Sequence, residues 1–243
     1  MFALAIVLLL VCASVFVNGW TDAPNAIATV ISTRVLSPKA AVLLAAIFNL
    51  AGVFLTGTAV ANTTANIVNI GTGQNALVTL AAAQLSIVIW AVSAWRYGIP
   101  TSESHALIAG LMGAGMALNG VEAFNWDQFK LVLIGLVVAT FLGFIAGFLM
   151  TKGVGFAFRG VNRHKANTFF SWGQIASAAL MAFSHGAQDG QKFMGVFALA
   201  LAVGGVYPSG GSLFIPIWVM LLVSVLMAIG TSIGGHKIIK TMG

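Results

Sequence analysis

Two short polar segments interrupt long apolar stretches of this sequence, and their residue types suit ion binding. They cover residues 18–25 and 185–192, and Asp22 of the first recurs as Asp189 of the second, 167 positions later. An aspartate at the centre of a membrane helix costs roughly 2.5–3.5 kcal/mol, so each carboxylate needs a partner or a function. Two polar, interrupted helices at corresponding positions indicate the substrate site of a transporter.

The spacing within each segment places a second polar side chain beside the aspartate. Asn25 lies three residues after Asp22, and Lys192 lies three residues after Asp189, so each pair shares one face of a helix. Carboxylate and amide oxygens suit Na⁺, whereas the same carboxylates can instead carry a proton. The alternative is a structural role, in which the polar groups only hold neighbouring helices together. The presence of two matching segments makes this alternative less favoured. We assign the coupling ion to both aspartates and to the residues that precede them, Thr21 and Gln188.

A third polar segment, residues 100–105, suits an anion. It opens a helix after a proline, and it carries Ser102, Ser104 and His105. The N-terminus of a helix offers free N–H groups and a positive dipole end, and hydroxyls add donors, which suits an oxyanion such as phosphate. Ordinary helix capping is the alternative. His105 and His185 are assigned either to proton relay or to a structural role.

Composition identifies an integral membrane protein. The 243 residues are 59% hydrophobic and 7% charged, whereas soluble domains carry about 25% charged residues. The apolar runs are continuous and helix-length, which favours helices over a barrel. The net charge of +6 comes from basic residues in short loops, as the positive-inside rule expects, so the predicted partner is the lipid bilayer and not nucleic acid. The sequence contains no nucleophile–base pair and no phosphate-loop motif. We therefore expect neither enzymatic activity nor a cofactor.

The apolar runs predict an all-α, polytopic bundle of membrane helices with discontinuous segments. Residues 1–33 exceed one span of about 20 residues, so we expect two half-helices that meet near residues 18–24. Residues 168–204 are also too long for one span, so we expect a second break near residues 184–192. Residues 97–118 either span the membrane or re-enter it. The other predicted spans are 40–61, 76–95, 131–150 and 213–233, with a polar segment at 62–75.

The basic residues predict an orientation. Residues 151–167 carry four of the eleven basic residues and are assigned to a cytoplasmic linker, which places the N-terminus outside. Five crossings before residue 168 then make the two aspartate segments run in opposite directions. This predicts a first repeat at 1–150 and the start of a second, inverted repeat at 168–243.

The second repeat has two expected features. Gly230 and Thr231 resemble Gly57 and Thr58 of the first repeat. We expect the counterpart of residues 100–105 to lie beyond Gly243, so that 168–243 is an incomplete repeat.

Together, three motifs resemble those of the inorganic phosphate transporter family, especially its bacterial low-affinity branch. Residues 18–29 resemble the signature Gly-x-x-Asp-x-x-Asn-Ala, residues 100–105 resemble Pro-x-Ser-x-Ser/Thr-His, and residues 184–195 resemble the signature of the second repeat. The resemblance covers essentially the whole chain. It implies symport of inorganic phosphate with Na⁺ or H⁺ across the cell membrane.

The resemblance also implies an arrangement of the site. Phosphate would lie between the repeats, with Asn25, Ser102, Ser104 and Lys192 as its expected ligands. Asp22 and Asp189 would hold the coupling cation, and one repeat would rock against the other. The alternatives are transport of sulfate or of a metal–phosphate complex, a passive anion channel, and a scaffold without flux. The sequence does not determine the oligomeric state, and we expect a homodimer.

Overall fold

Helices make up most of the chain. The computed structural model describes residues 1–99, 101–123, 125–208 and 213–242, so Pro100 of the third polar segment lies outside the described residues. The α-helices are α1 (Phe2–Thr21), α2 (Ala28–Ser32), α3 (Pro38–Leu55), α4 (Ala59–Ala65), α5 (Gln74–Tyr97), α6 (Glu103–Asn119), α7 (Trp126–Ala157), α8 (Arg163–His185), α9 (Gln191–Val203) and α10 (Ile217–Met242).

Within the described residues, five helical segments are long and apolar enough to cross a membrane. They are Phe2–Ala26, Pro38–Leu55, Gln74–Tyr97, Glu103–Ala123 and Trp126–Ala157. This confirms the predicted polytopic helical class. The fourth segment includes most of residues 97–118, and its length of 21 residues is sufficient for a full span of about 30 Å.

Several helix boundaries differ from the predicted ones. Helix α7 continues to Ala157 and α8 begins at Arg163, so most of the predicted linker 151–167 is helical. That stretch contains no proline, and the Asn162 side chain caps α8 by accepting from the His164 N–H at 2.9 Å. Helix α3 ends at Leu55 instead of residue 61, because the chain turns at Gly57 with φ of +74°.

The first polar segment interrupts its helix as predicted. Helix α1 ends at Thr21, a 3₁₀ turn covers Ala23–Ala26, and α2 follows. Pro24, which lacks an N–H, occupies the start of the 3₁₀ turn. The predicted second half-helix is only the five residues of α2.

The second polar segment departs from α geometry without breaking the helix. Residues Gly186–Gly190 form a π turn, and the residues at its two ends, His185 and Gln191, keep right-handed helical dihedrals. Helices α8 and α9 are therefore continuous through this turn. Single π turns inside α-helices occur frequently at functional sites.

Contacts between the repeats show that they run in opposite directions. At one end of α1 the Leu4 side chain lies against Gly204, and near the other end Asn18 bonds to Asp189, so α1 is antiparallel to α9. Helices α3 and α4 run parallel to α8 and α9, because Asn49 lies against Gly186 and Ala61 against Gly195. The inverted topology predicted from the sequence is the observed one.

The equivalent helices of the two repeats also pack through equivalent glycines. A Cβ at Gly19 would overlap the backbone of Met227, and a Cβ at Gly186 would overlap the backbone of Asn49. Both helix pairs therefore approach with their backbones in contact, which small residues permit in membrane proteins.

The reciprocal contacts correct one predicted correspondence. Gly230 meets the carbonyl of Phe16, and Gly52 meets the carbonyl of Phe183. The structural counterpart of Gly230 in the first repeat is thus Gly52, and the predicted equivalence with Gly57 is wrong. The connection between α9 and α10 is longer than that between α2 and α3, which shifts the alignment of the following helix.

The buried interior has two apolar parts with polar residues between them. One part surrounds the first half of α1 and includes Val7, Val11 and Val15. The other surrounds Ile27 and Val30 beyond the first interruption. The polar layer that lies between them consists of Asn18, Asp22, Asn49, Glu103, Ser104, His185, Asp189 and Lys192.

Candidate functional site

Asp22 and Asp189 meet in the polar layer. Asp22, His185 and Asp189 each offer one ligand atom, and these atoms lie within 4.8 Å of one another. The Asn18 Nδ2 donates to Asp189 Oδ2 at 3.4 Å, which links α1 to the π turn. Thus the two predicted coupling aspartates, one from each repeat, form a single acidic centre.

Asp189 is the most heavily bonded member of this layer. Its Oδ1 accepts from Lys192 Nζ at 2.7 Å and from Ser104 Oγ at 3.0 Å, and its Oδ2 lies 3.6 Å from His185 Nε2. Lys192 Nζ also donates to Ser104 Oγ at 2.5 Å. Asp189 is 6% exposed, so its charge depends on these partners more than on solvent.

Asp22 has a different environment, with Asn25 as its hydrogen-bonded partner. The Asn25 Nδ2 donates to Asp22 Oδ1 at 2.9 Å, as their spacing of three residues predicted. The amide oxygens Oδ1 of Asn25 and Oδ1 of Asn18 are buried and have no hydrogen-bond partner among the described residues. A buried acceptor without a partner costs about 1–3 kcal/mol, so these two oxygens are candidate ligands for a cation.

The two predicted relay histidines lie in different environments. His185 Nδ1 is 2.9 Å from Asn49 Oδ1, so α3 orients the ring whose Nε2 faces Asp189. His105 is exposed at the start of α6, where its backbone N–H donates to Ser102 Oγ at 3.5 Å. Only His185 therefore belongs to the acidic centre.

Glu103 is a member of the layer that the sequence analysis did not assign. Its side chain is fully buried, and its Oε1 accepts from Thr21 Oγ1 at 3.1 Å. Its Oε2 has no partner among the described residues. Thr21, predicted beside the coupling ion, thus directs its hydroxyl to Glu103 and to the Val17 carbonyl. The available signal was a glutamate inside a membrane segment, which is rare without a function.

The polar layer holds more carboxyl groups than basic groups. Three carboxylates, from Asp22, Glu103 and Asp189, share one ammonium group, from Lys192, and one histidine. Charged groups in a membrane interior are normally paired or bound to an ion. The excess of carboxylates therefore favours a cation at this centre.

A cavity of about 470 Å³ opens beside the centre on the side of Lys192. Its polar lining includes Ser104, His105, Gln188 and Lys192, and α4 forms another part of its wall. Gln188, which was predicted to lie beside the coupling ion, is an exposed residue that lines this cavity. The cavity offers hydroxyl, amide and ammonium donors, which suit an oxyanion.

The predicted anion ligands are divided among three places. Ser104 and Lys192 line the 470 Å³ cavity, whereas Asn25 is bonded to Asp22. Ser102 caps α6 and lines a separate, mainly apolar groove of about 880 Å³ between α5 and α6. The structure therefore brings two of the four predicted ligands together in one cavity.

Comparison with known proteins gives consistent matches. The model of a family described as the phosphate transporter family matches residues 18–164 and 156–243. A probable low-affinity inorganic phosphate transporter of Bacillus subtilis is 40% identical over 98% of this chain and 71% of its own length. One of the same description from Mycobacterium tuberculosis is 40% identical over all of this chain and 58% of its own length.

A solved structure shares the fold. "The sodium-dependent phosphate transporter" superposes with a TM-score of 0.83 at 21% identity, over 99% of this chain and 78% of that chain. Together, the family match over both repeats and the 40% identity over the full chain show that this protein is a member of the phosphate transporter family.

Proposed function

We propose that this chain forms the core of a symporter that moves inorganic phosphate together with a cation, with Na⁺ as the favoured ion. The observation that carries the proposal is the meeting of Asp22 and Asp189, one from each inverted repeat, beside a cavity lined by Ser104 and Lys192. Substrate sites of secondary transporters lie at such repeat interfaces.

The neutral oxygens around the acidic centre support Na⁺ over H⁺. The unpartnered amide oxygens of Asn18 and Asn25 can coordinate a metal cation, but they do not accept a proton at physiological pH. They are hard ligands of the same kind as the carboxylate oxygens of Asp22 and Asp189, which the Nδ2 atoms of the same two asparagines contact. A proton on one carboxyl group would supply one O–H donor, which can partner at most one of the two amide oxygens.

The contacts of Lys192 suggest how a cation and an anion are coupled. The Lys192 ammonium is bound to Asp189 and Ser104. A cation held by Asp22 and Asp189 offsets the charge of Asp189, so Lys192 becomes available to an anion in the adjacent cavity. Phosphate bound by Lys192 and Ser104 is then favoured only when the cation is present, which is the requirement for symport.

Uptake of radiolabelled phosphate into vesicles that contain the full chain tests the proposal. A Na⁺ gradient and a pH gradient are imposed separately. Sulfate is added as a competitor, and a divalent metal is added as a co-substrate in separate assays. The D22N variant serves as the control. Na⁺-driven accumulation above equilibrium that is lost in D22N supports the proposal.

Other outcomes assign the alternatives. Accumulation driven only by the pH gradient replaces Na⁺ with H⁺, and flux that merely equilibrates indicates a passive channel. Inhibition by sulfate, or a requirement for divalent metal, identifies sulfate or a metal–phosphate complex as the substrate. Absence of any flux favours a scaffold.

Location and assembly are further parts of the proposal. We propose a multi-pass protein of the cell membrane with basic loops in the cytoplasm and the N-terminus outside, following the distribution of lysine and arginine. Accessibility of single cysteines placed at residues 2 and 160 to an impermeant reagent tests this orientation. Cross-linking in the membrane tests the expected homodimer.

A further inference from the structure

One glutamine of the second repeat fills the gap between α3 and α4 of the first repeat. Helix α4 begins at Ala59 without a side-chain cap, so the N–H groups of its first turn need outside acceptors. The N–H of Val60 donates to Oε1 of Gln191 at 3.2 Å. Gln191 therefore performs the capping role for α4 from a different helix.

The other end of the same carboxamide bonds to the end of α3. Gln191 Nε2 donates to Thr56 Oγ1 at 2.7 Å, and Thr56 Oγ1 in turn donates to the Gly52 carbonyl at 2.6 Å. Gln191 is 1% exposed, so water does not replace these partners. Each buried polar group left unpartnered would cost about 1–3 kcal/mol. One side chain thus fixes both sides of the gap around Gly57.

The position of Gln191 in the chain connects this gap to the acidic centre. It follows the π turn that carries Asp189, and it directly precedes Lys192. The helix that it caps, α4, contributes Thr63 and Thr64 to the wall of the 470 Å³ cavity that Lys192 also lines. A movement of the π turn would therefore have a route to the cavity wall through the hydrogen bond that the Val60 N–H donates to Gln191.

We infer that Gln191 is a positioning residue that transmits the exchange of partners at Asp189 to the α4 wall of the cavity. When a cation replaces Lys192 as the partner of Asp189, the π turn adjusts, and Gln191 moves α4 with it. The inference rests on the proposed function for the identity of the ions. The mechanical link itself is measurable without transport.

The chemistry of the side chain predicts an order of effects among substitutions. Glutamine supplies one acceptor and one donor, and the link uses both. In Q191E the acceptor for Val60 remains, but the donor to Thr56 is lost. In Q191M the length remains and both bonds are lost. The expected order of coupling is wild type, then Q191E, then Q191M.

A cysteine on α4 measures the link. In the full chain with Cys12→Ser, Thr63→Cys places a thiol in the cavity wall, and its rate of modification by a small polar thiol reagent is compared in Na⁺ and in choline. We expect Na⁺ to change the rate about threefold or more in this background, and we expect Q191M to abolish that change. An unaltered change in Q191M overturns the inference.

Two further variants separate a specific link from general damage. Q174M removes a half-buried glutamine of α8 that accepts a hydrogen bond from Thr33, and it should leave the Na⁺ response intact. T56V removes the bond at α3 and leaves the bond from Val60 to Gln191, as Q191E does, so it should reduce the Na⁺ response to about the level of Q191E. If Q191M fails to fold, an undiminished response in both T56V and Q191E overturns the inference.

Failure of the link and failure of the proposed function are distinguishable. The control is the chain that carries only Cys12→Ser and Thr63→Cys. If its rate of thiol modification changes with neither Na⁺ nor pH, the inference is overturned, because there is no rearrangement to transmit. Phosphate uptake by the same vesicles then shows whether the proposed function fails as well.

Discussion

Asp22 and Asp189 lie 167 positions apart in the sequence, yet they offer ligand atoms within 4.8 Å of each other. Asp22 follows the end of α1, Asp189 lies in the π turn between α8 and α9, and the repeats run in opposite directions. Among the described residues, the lysine of their polar layer is Lys192, which is bonded to Asp189. This arrangement is the basis of the predictions below.

Loss of Lys192 should weaken anion binding more than cation binding. Its ammonium makes charge-assisted hydrogen bonds, which contribute about 1.5–3 kcal/mol each, so K192M should raise the KM for phosphate roughly tenfold to hundredfold. Initial rates of phosphate uptake at saturating Na⁺ measure this effect. Because K192M leaves Asp189 buried without its cation, K192M/D189N is the companion variant that removes both charges. An unchanged KM in K192M would remove Lys192 from the anion site.

The serines of the third polar segment should behave differently from each other. S104A removes a hydroxyl that lies between Lys192 and Asp189 in the cavity, and it should raise the phosphate KM several-fold. S102A removes the cap of α6, which should cost about 1 kcal/mol of stability and leave the KM unchanged. Uptake kinetics and thermal stability in detergent measure the two effects. The reverse pattern would assign the anion to the groove between α5 and α6.

Glu103 should support cation binding by its charge. E103Q keeps the size of the side chain and the bond from Thr21, but it removes one of three carboxylates. The Na⁺ concentration for half-maximal uptake should rise roughly threefold to tenfold, which corresponds to about 0.7–1.4 kcal/mol. E122Q, at an exposed glutamate, is the matched control and should show no such rise. Equal Na⁺ dependence in E103Q and wild type would contradict this role.

The close approach of α3 and α8 should make Gly186 intolerant of a side chain. A Cβ there would overlap the backbone of Asn49, so G186A must separate the two helices. Overpacking typically costs 1–3 kcal/mol, so the apparent Tm should fall by several degrees. G153A is the control, because no atom of a neighbouring residue lies within 4 Å of a Cβ at Gly153. Fluorescence-detected thermal unfolding of the two variants compares them, and equal Tm values would contradict the packing argument.

The sequence was sufficient to predict the parts of the site that depend on local pattern. Asp22 and Asp189 stand out because charge is rare inside apolar helices, and their spacings predicted the pairs with Asn25 and Lys192. The inverted direction of the repeats followed from counting spans between basic loops. The motif resemblance predicted the family.

Features that depend on contacts between distant helices were not predictable in this way. The pairing of His185 with Asn49, and the bonds of Gln191 across the gap, join residues more than 130 positions apart. The π turn was expected to be a break, since glycine-rich polar sequence is compatible with either geometry. Glu103 was assigned no role because its partner, Thr21, belongs to a different helix.

A double-mutant cycle on Asp22 and Asp189 tests the central claim most directly. The Na⁺ dependence of phosphate uptake is measured in wild type, D22N, D189N and D22N/D189N, with the amount of folded protein determined for each. If both carboxylates hold one cation, either single substitution removes most of the Na⁺ dependence, and the double variant is scarcely worse than the singles. Additive losses, or Na⁺ dependence that persists in both single variants, would contradict a shared cation site.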